Sequence, residues 1–461
     1  MMLASMPSLS ARANEPMYEQ LYRFFVERIH RGELRTGEKL PSKRSLCAEL
    51  GVSLSTVETA YALLVSEGYV NSRPKSGFYI AEFSPLEPVA NPPQTRPLPP
   101  SAPKEAELDL STASVDVSLF PYATWAKLNK EVVYASPELL QQGDRQGDPG
   151  LRLALAAFLG QYRGVNCGPE QIVVGAGMEY LTQLLISLLP RDTVFGVEDP
   201  GYPSICSSLR LFGRQLRFLS LDEAGVRPEQ LRDSDVSAVY VTPSHQFPMG
   251  MTMPASRRSQ LLRWAWERED RYLIEDDYDS EFRYDQRPLP AMQGMDRQEK
   301  VVYVGTFSRS LAPSIRMAYL VLPHPLLERY RAMSAYQQST VSRYEQAVMT
   351  RFLQDGYYAR YLRRISGRYK ARRNALTRAL GQLEGVQLWG HQGGLHFLLE
   401  KQGLSEAELC ARALEAGIPL RGLGAYCHTV APRPSTVVIG YGGLKDDAVD
   451  TAVRTLAAAW A

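Results

Sequence analysis

The sequence predicts two unlike folds on one chain: a small, mainly α N-terminal domain closed by a short β hairpin, and a large α/β domain built on a parallel sheet. Three observations carry this expectation. Residues 83–108, FSPLEPVANPPQTRPLPPSAPKEAEL, hold eight of the 31 prolines. So proline-dense a stretch lacks N–H donors for helix or sheet and favours extended polyproline geometry, the mark of a semi-rigid spacer. Before it, apolar residues recur at helical spacing; after it, β-branched runs alternate with helical ones. Boundaries at 1–82, 83–108 and 109–461 follow.

Length agrees, since 461 residues suit two or three domains of roughly 100–200 residues each. Charge is less informative. Fifty-two Lys and Arg against 50 Asp and Glu leave a formal +2, a balance that does not advertise nucleic acid. Residues 1–82 carry ten Lys and Arg against nine Glu, so clustering matters more there than the sum. Five cysteines, Cys47, Cys167, Cys206, Cys410 and Cys427, stand singly, with no C-x-x-C pair and no histidine at ligand spacing. Neither a disulfide framework nor a metal site is expected. The opening MMLASMPSLSARANE lacks the apolar core and cleavage site of a secretory leader, and no window reaches the roughly 18 apolar residues of a membrane span. A cytoplasmic protein is expected.

In the N-terminal piece, MYEQLYRFFVERIHR (17–31) sets Tyr18, Leu21, Tyr22, Phe25 and Ile29 on one helical face, and Gly32 ends the run. Ser42 caps a second helix that Gly51 closes, and Ser53 caps a third that turns Val57, Tyr61 and Leu64 inward. Two short helices joined by G-V-S have helix-turn-helix spacing. GYVNSRPKSGFYIAE then alternates as two strands about a turn bearing Arg73 and Lys75. The order L-P-S-x-R-x-L, G-V-S, T-V-x-x-A-Y, L-x-x-E-G, S-G resembles the winged helix-turn-helix of the GntR family over nearly all of residues 15–80. That resemblance implies a double-stranded DNA operator as partner. Lys43 and Arg44 would meet phosphates, Ser53, Ser55 and Thr56 would approach phosphates or base edges, and Arg73, Lys75 and Gly77 would form the wing. Where family members often carry Arg in the recognition helix, this chain has Leu54 and Glu58. Glu58 either accepts from a cytosine amino group or lies on a solvated face.

In the large piece QIVVGAG, DTVFGVED, AVYVTPS, RYLIEDD, KVVYVGTF and RMAYLVLP alternate with helical runs such as EYLTQLLISLL and SRRSQLLRWAWER. Strand then helix, repeated, places ligand chemistry at the strand ends of a parallel sheet. The Gly175–Glu179 loop enters a helix whose amides favour phosphate, although a plain turn fits it equally. Asp276 stands where a carboxylate could hold a pyridinium N–H or merely cap a strand. Thr306, Ser308 and Arg316 in GTFSRSLAPSIR suit a phosphate dianion. Tyr202 in GYPS could stack on a ring or simply pack.

The conjunction is less accidental than any member. E-D-P-G-Y-P, T-P-S-H-Q-F-P-x-G, I-E-D-D-Y-D-S-E-F-R-Y, G-T-F-S-x-x-L-A-P-S-x-R and G-G-L-H, in this order behind the GntR-like segment, resemble the MocR/GabR subfamily of transcription regulators across essentially the whole chain. The resemblance implies a winged helix joined to an α/β aminotransferase-like domain of fold type I that binds pyridoxal 5′-phosphate (PLP) and dimerises head to tail. By it, the Gly177 and Met178 amides, Ser308 and Arg316 would hold phosphate. Asp276 would hold the ring nitrogen, Tyr278 with His245 or Gln246 would lie near the ring oxygen, and Tyr202 would stack.

Two departures bear on mechanism. The family reads Lys after G-T-F-S and uses it for the Schiff base; this chain has Arg309. A guanidinium keeps its proton and is no usable nucleophile, so no catalytic residue is assigned. The second is Val438 in STVVIGYGGL, where amino-acid-binding members have Arg; Arg421 and Arg433 are nearby in sequence. The expected activity is therefore a DNA-binding regulator that senses PLP, or a related phosphorylated pyridine or adduct, without a covalent bond. The alternatives are a PLP-dependent aminotransferase with a DNA-binding attachment, a pocket adapted to another metabolite, a dimerisation scaffold, and an engineered substitution at 309.

Overall fold

The computed structural model describes residues 15–82, 108–284, 289–335 and 337–461. The proline-rich segment thus lies, apart from Leu108, outside the described residues. Two compact units emerge, Met1–Ala102 and Pro103–Ala461.

The small unit opens with α1 (Met17–His30), which buries Leu21, Phe25 and Ile29 on the face their spacing predicts. In α2 (Lys43–Leu50) the Ser42 hydroxyl accepts the Ser45 amide at 3.1 Å, and Gly51 ends the helix at φ 64°, a left-handed position that a side chain would strain. The next helix, α3 (Leu54–Ser66), is capped by Ser53. β1 (Val70–Arg73) pairs antiparallel with β2 (Gly77–Ile80), Arg73 opposite Gly77. Leu21, Phe25, Leu46, Val57, Tyr61 and Leu64 form one core, each such side chain contributing about 1.5–3 kcal/mol on full burial. Tyr61 lies edge-on to Phe25 at 5.8 Å and donates its hydroxyl to the Pro41 carbonyl at 2.9 Å, so even the polar tip of this central ring is satisfied.

The large unit begins with α4 (Tyr122–Ala135) and α5 (Pro149–Arg163), followed by β3 (Ile172–Gly175) and α6 (Met178–Leu188). Then come β4 (Val194–Asp199), β5 (Gln215–Asp222), β6 (Gly225–Val226), β7 (Ala238–Val241), β8 (Tyr272–Asp277), β9 (Val301–Thr306) and β10 (Ala318–Val321). These strands form one eight-stranded sheet in the order β3-β10-β9-β8-β7-β4-β5-β6. Its central strands are buried on every residue, which is why they read as continuous apolar runs rather than alternating ones. A second sheet, antiparallel, holds β11 (Val386–Trp389), β12 (His396–Lys401), β13 (Arg421–Gly422) and β14 (Thr436–Gly440) in the order β11-β12-β14-β13.

The all-parallel expectation fails at two places. β6 pairs antiparallel with β5, and β10, the RMAYLVLP run, lies antiparallel between β3 and β9. Only residues 307–317, with a single short turn of helix at Pro313–Ile315, join β9 to β10. A parallel return needs a crossover of a dozen or more residues, so the chain folds back on itself. The reversal matters for the site: Arg316 just precedes β10, and Ala318 pairs with both Gly175 and Thr306.

Candidate functional site

On the small unit, the structure sorts the expected DNA-facing residues. Arg44, Arg73 and Lys75 are exposed, and Lys75 turns the hairpin tip at φ 60°. The Arg73 guanidinium lies 4.6 Å from the Tyr79 ring centroid, which presets its direction. Ser53 is more committed than the sequence implied. Its hydroxyl accepts the Thr56 amide at 3.2 Å and pairs with the Ser55 and Thr56 hydroxyls at 2.9 and 2.8 Å, making it a helix cap first. Lys43 is also engaged: its Nζ stands 3.1 Å from Glu58 and 5.4 Å from the Phe78 ring. Glu58 is exposed and paired with this lysine of the preceding helix, which agrees with the solvated-face reading. Lys39, which sequence reading passed over, is exposed beside the hairpin, bridged to Tyr79. A Cβ at Gly77, φ 118°, would come within 3.1 Å of the Lys39 Cε, so Gly77 keeps the strand close to that lysine.

The large unit has a cavity of about 270 Å³ at the carboxyl ends of the central strands, the position ligands take in α/β sheets. Met178, Tyr202, Asp276, Tyr278, Thr306, Ser308, Arg309 and Arg316 line it, eight of the eleven residues expected there. Gly177 caps α6 at φ 93°, and a Cβ on it would fall 2.4 Å from Arg316 Nη2, so the bare backbone is what lets the guanidinium lie over the loop. Thr306 Oγ1 accepts the Ser308 amide at 3.1 Å and contacts its hydroxyl at 3.2 Å. This leaves hydroxyls and a guanidinium around the first amides of α6, a set matched to a phosphate.

Asp276 is the second anchor. Its Oδ2 accepts the Tyr240 hydroxyl, while Oδ1, buried, has no partner. Burial pushes the carboxyl up to about 7, against the pull of the Tyr240 bond and aided by Asp277 and Asp279. A pyridinium N–H on Oδ1 would satisfy the orphaned oxygen and favour its ionised form. The residues present thus fit PLP at its ring nitrogen and its phosphate. They do not fit a covalent attachment: Arg309 occupies the wall, and among the described residues no lysine lines the cavity. Lys300 lies away from it, with its Nζ 2.9 Å from the Glu269 carbonyl.

His245 and Gln246 are corrected. Neither lines the cavity; the turn closed by Gln246 N–H to Met251 O at 2.8 Å and Gly250 N–H to Gln246 O at 2.7 Å presents Thr242 and Phe247 to it instead. Gln246 is buried, its amide bonded to Glu198 at 3.1 Å and the Pro200 carbonyl at 3.0 Å. His245 stands behind Tyr278, with Nδ1 3.1 Å from the Tyr278 hydroxyl and 3.0 Å from Asp279, and so orients that phenol. Gly394, at φ 66°, permits this, because a Cβ there would meet the His245 ring at 2.0 Å. His245, Asp279 and His396 bring potential ligand atoms within 4.8 Å of one another, all three buried, a grouping invisible in sequence spacing. Burial, then the neighbouring His245 and Arg309, holds His396 well below the usual histidine range, and the Arg309 guanidinium weighs against a cation here.

Four further wall residues were missed: Glu179, Thr112, Ala113 and Pro313. Glu179 pairs with Arg316; burial alone would raise its carboxyl, but that bond holds it below the usual range. Thr112 and Ala113 come from the segment that follows the proline-rich stretch, where nothing but small size marked them. The second departure is settled: Val438 is buried beside Phe247, Leu398 and Tyr426, Arg433 lies 4.0 Å from the Trp389 ring, and neither Arg421 nor Arg433 reaches the cavity wall.

Over residues 17–80 the chain matches the family described as bacterial regulatory proteins, gntR family, and over 107–456 the family Aminotransferase class I and II. It is similar to the uncharacterized HTH-type transcriptional regulator YdeL of Bacillus subtilis (strain 168), 36% identical over 98% of this chain and 99% of that one. It is also similar to the HTH-type pyridoxine biosynthesis transcriptional regulator PdxR of Corynebacterium glutamicum, 33% identical over 97% and 96%, and to the probable rhizopine catabolism regulatory protein MocR of Rhizobium meliloti, 30% identical over 98% and 95%. Among solved structures, Pyrococcus horikoshii kynurenine aminotransferase superposes with a TM-score of 0.68 at 25% identity, covering 77% of this chain and 90% of that one.

Proposed function

Because the chain belongs to the MocR/GabR family of HTH-type transcriptional regulators, a GntR-type domain joined to an aminotransferase class I and II domain, we propose that its large unit senses PLP or a related phosphorylated pyridine, held without a covalent bond. The observation that carries this is the cavity wall itself: an unpartnered Asp276 oxygen, the Thr306 and Ser308 hydroxyls and Arg316, with Arg309 where a nucleophilic lysine would stand. A relative whose name concerns pyridoxine biosynthesis supports the same ligand class.

PLP, where a lysine and a proton shuttle accompany it, supplies an electron sink for amino-acid chemistry. This chain's residues bind and orient instead. Asp276 fixes the nitrogen end, Gly177, Met178, Ser308 and Arg316 fix the phosphate end, and Tyr202 and Tyr278 cover the ring. Occupancy biases DNA binding through its different affinity for two arrangements of the protein. The contacts on DNA are Arg44, Arg73, Lys75 and Lys39 toward phosphates, with Ser55 and Thr56 at the helix start. Residues 1–82 serve as the DNA-binding domain, 83–108 as linker and 109–461 as the sensing and pairing domain, and a DNA partner places the protein at work in the cytoplasm.

A homodimer, head to tail by the family resemblance, is the assembly we propose; the exposed apolar side chains in and beside α4, Tyr134 at 80% and Leu140 at 78% with Tyr122 and Val133 also open, are candidates for the surface that a second copy covers. The test of the central reading is titration of purified protein with PLP, then borohydride reduction and intact mass. Saturable binding with no mass increase is expected. A borohydride-fixed adduct on this chain would overturn the non-covalent reading, and no binding at all would overturn the ligand.

A further inference from the structure

Resting on the reading that the cavity takes a phosphorylated pyridine, we propose that Arg309 selects a ligand carrying a carboxylate on the ring substituent para to the nitrogen, in preference to the bare aldehyde or amine.

Position gives the first argument. Asp276 at the end of β8 and the cluster of Ser308, Arg316 and Gly177 fix a pyridine ring at its nitrogen and at its phosphate arm. A ring held at those two points directs the substituent opposite the nitrogen toward the rest of the wall. The cation in that wall not needed by phosphate is Arg309, one residue beyond Ser308.

Charge gives the second. Arg309 is half-buried, and among the described residues it forms no hydrogen bond or ion pair, whereas Arg316 is paired with Glu179. The groups on which the Arg309 charge acts cannot neutralise it. Burial raises the Tyr202, Tyr278 and Tyr369 phenols, so all three stay protonated, and His396 is held neutral by its own burial. Of the wall carboxylates, Glu179 is bound to Arg316, and Asp276 accepts from Tyr240 and faces the ring nitrogen. A guanidinium removed from water without an anion is costly, and its planar fork matches a carboxylate through two parallel N–H···O bonds. The wall therefore has one cation for the phosphate and a second for another anion. Two chemistries present that anion: a carboxylate directly on the ring, and the α-carboxylate of an amino acid whose nitrogen is joined through a saturated C–N bond to the exocyclic carbon para to the ring nitrogen.

The test is isothermal titration with four probes: PLP, pyridoxamine 5′-phosphate, 4-pyridoxic acid 5′-phosphate and N-(5′-phosphopyridoxyl)-L-leucine. At least one carboxylate probe is expected to bind roughly 10- to 150-fold more tightly than pyridoxamine 5′-phosphate, the range for a hydrogen bond to a charged group. Which of the two does so identifies the source. Arg309→Gln should abolish the preference, bringing the carboxylate probes and pyridoxamine 5′-phosphate to a ratio near one, and Arg309→Lys should retain part of it. A ratio near one in the unmodified protein overturns the proposal even if the variants fail to fold, as does a ratio that survives Arg309→Gln. If none of the four binds, the ligand class proposed above fails along with this inference; if PLP and the amine bind without a carboxylate preference, this inference alone fails.

Discussion

Replacing Gly177 by alanine probes the phosphate end of the cavity with one methyl group. That methyl would lie 2.4 Å from Arg316 Nη2 and 2.7 Å from its Cζ, on a residue at φ 93°. Two separable costs follow. The backbone strain falls on folding, on the order of 1–3 kcal/mol. The guanidinium, being the far end of a flexible side chain, swings aside and surrenders its bond to the phosphate, about 1.5–3 kcal/mol, or roughly 10- to 150-fold in Kd. Calorimetric titration with PLP and with unphosphorylated pyridoxal distinguishes the two, because only the phosphorylated ligand should weaken in the variant. Arg316→Ala should reproduce the ligand loss without the drop in melting temperature that strain causes. Unchanged PLP affinity in a folded Gly177→Ala protein, or equal weakening of both ligands, would refute the assignment of this corner to phosphate.

Arg309→Lys should give a protein that forms a borohydride-fixable chromophore with PLP, checked by absorbance and intact mass; a colourless, unmodified product would show that position 309 does not face the ring. Arg44→Ala should weaken binding to all DNA sequences alike and lower the salt slope by about one, measured by anisotropy across a salt series; an unchanged slope would remove Arg44 from the phosphate contacts. Glu198 is raised by burial to about 7, so its contribution to stability is present in full below its unfolded pKa near 4.5 and is lost as pH rises through about 7. Glu198→Gln should therefore melt increasingly above the unmodified protein between pH 5 and 8, the gap growing by up to about 1.4 kcal/mol per pH unit; a constant gap would contradict the buried, proton-holding carboxyl.

Much of this was legible because the informative signals are local. Ser42, Gly51 and Ser53 marked the helix ends of the small unit, since a cap is a property of a few adjacent residues. The strand-end residues Asp276, Thr306 and Ser308 were readable because each closes an apolar run. What escaped depends on contacts between distant segments. Glu58 and Lys43 meet across two helices, His245 meets Asp279 and His396 only once β8 and β12 are assembled, and the reversal of β10 was hidden because a buried strand looks the same in either direction. His245 and Gln246 went astray for a related reason: a motif fixes which residues turn, not which of them face the cavity.

The reversed β10 strand has one more consequence. It hydrogen-bonds β3 on one side and β9 on the other, with Ala318 opposite Gly175 and Thr306. The three segments that supply Gly177, Arg316 and Ser308 are thus tied together by main-chain atoms. A slip of one residue would turn Arg316 to the opposite face of the sheet and would disrupt two ladders at the heart of the domain. The phosphate end is in this sense inherited with the backbone, whereas position 309 hangs on a side chain alone. A lineage with this fold is free to trade the reactive group for a charge while the cradle beside it stays unaltered, and a receptor can emerge from an enzyme's frame by one replacement.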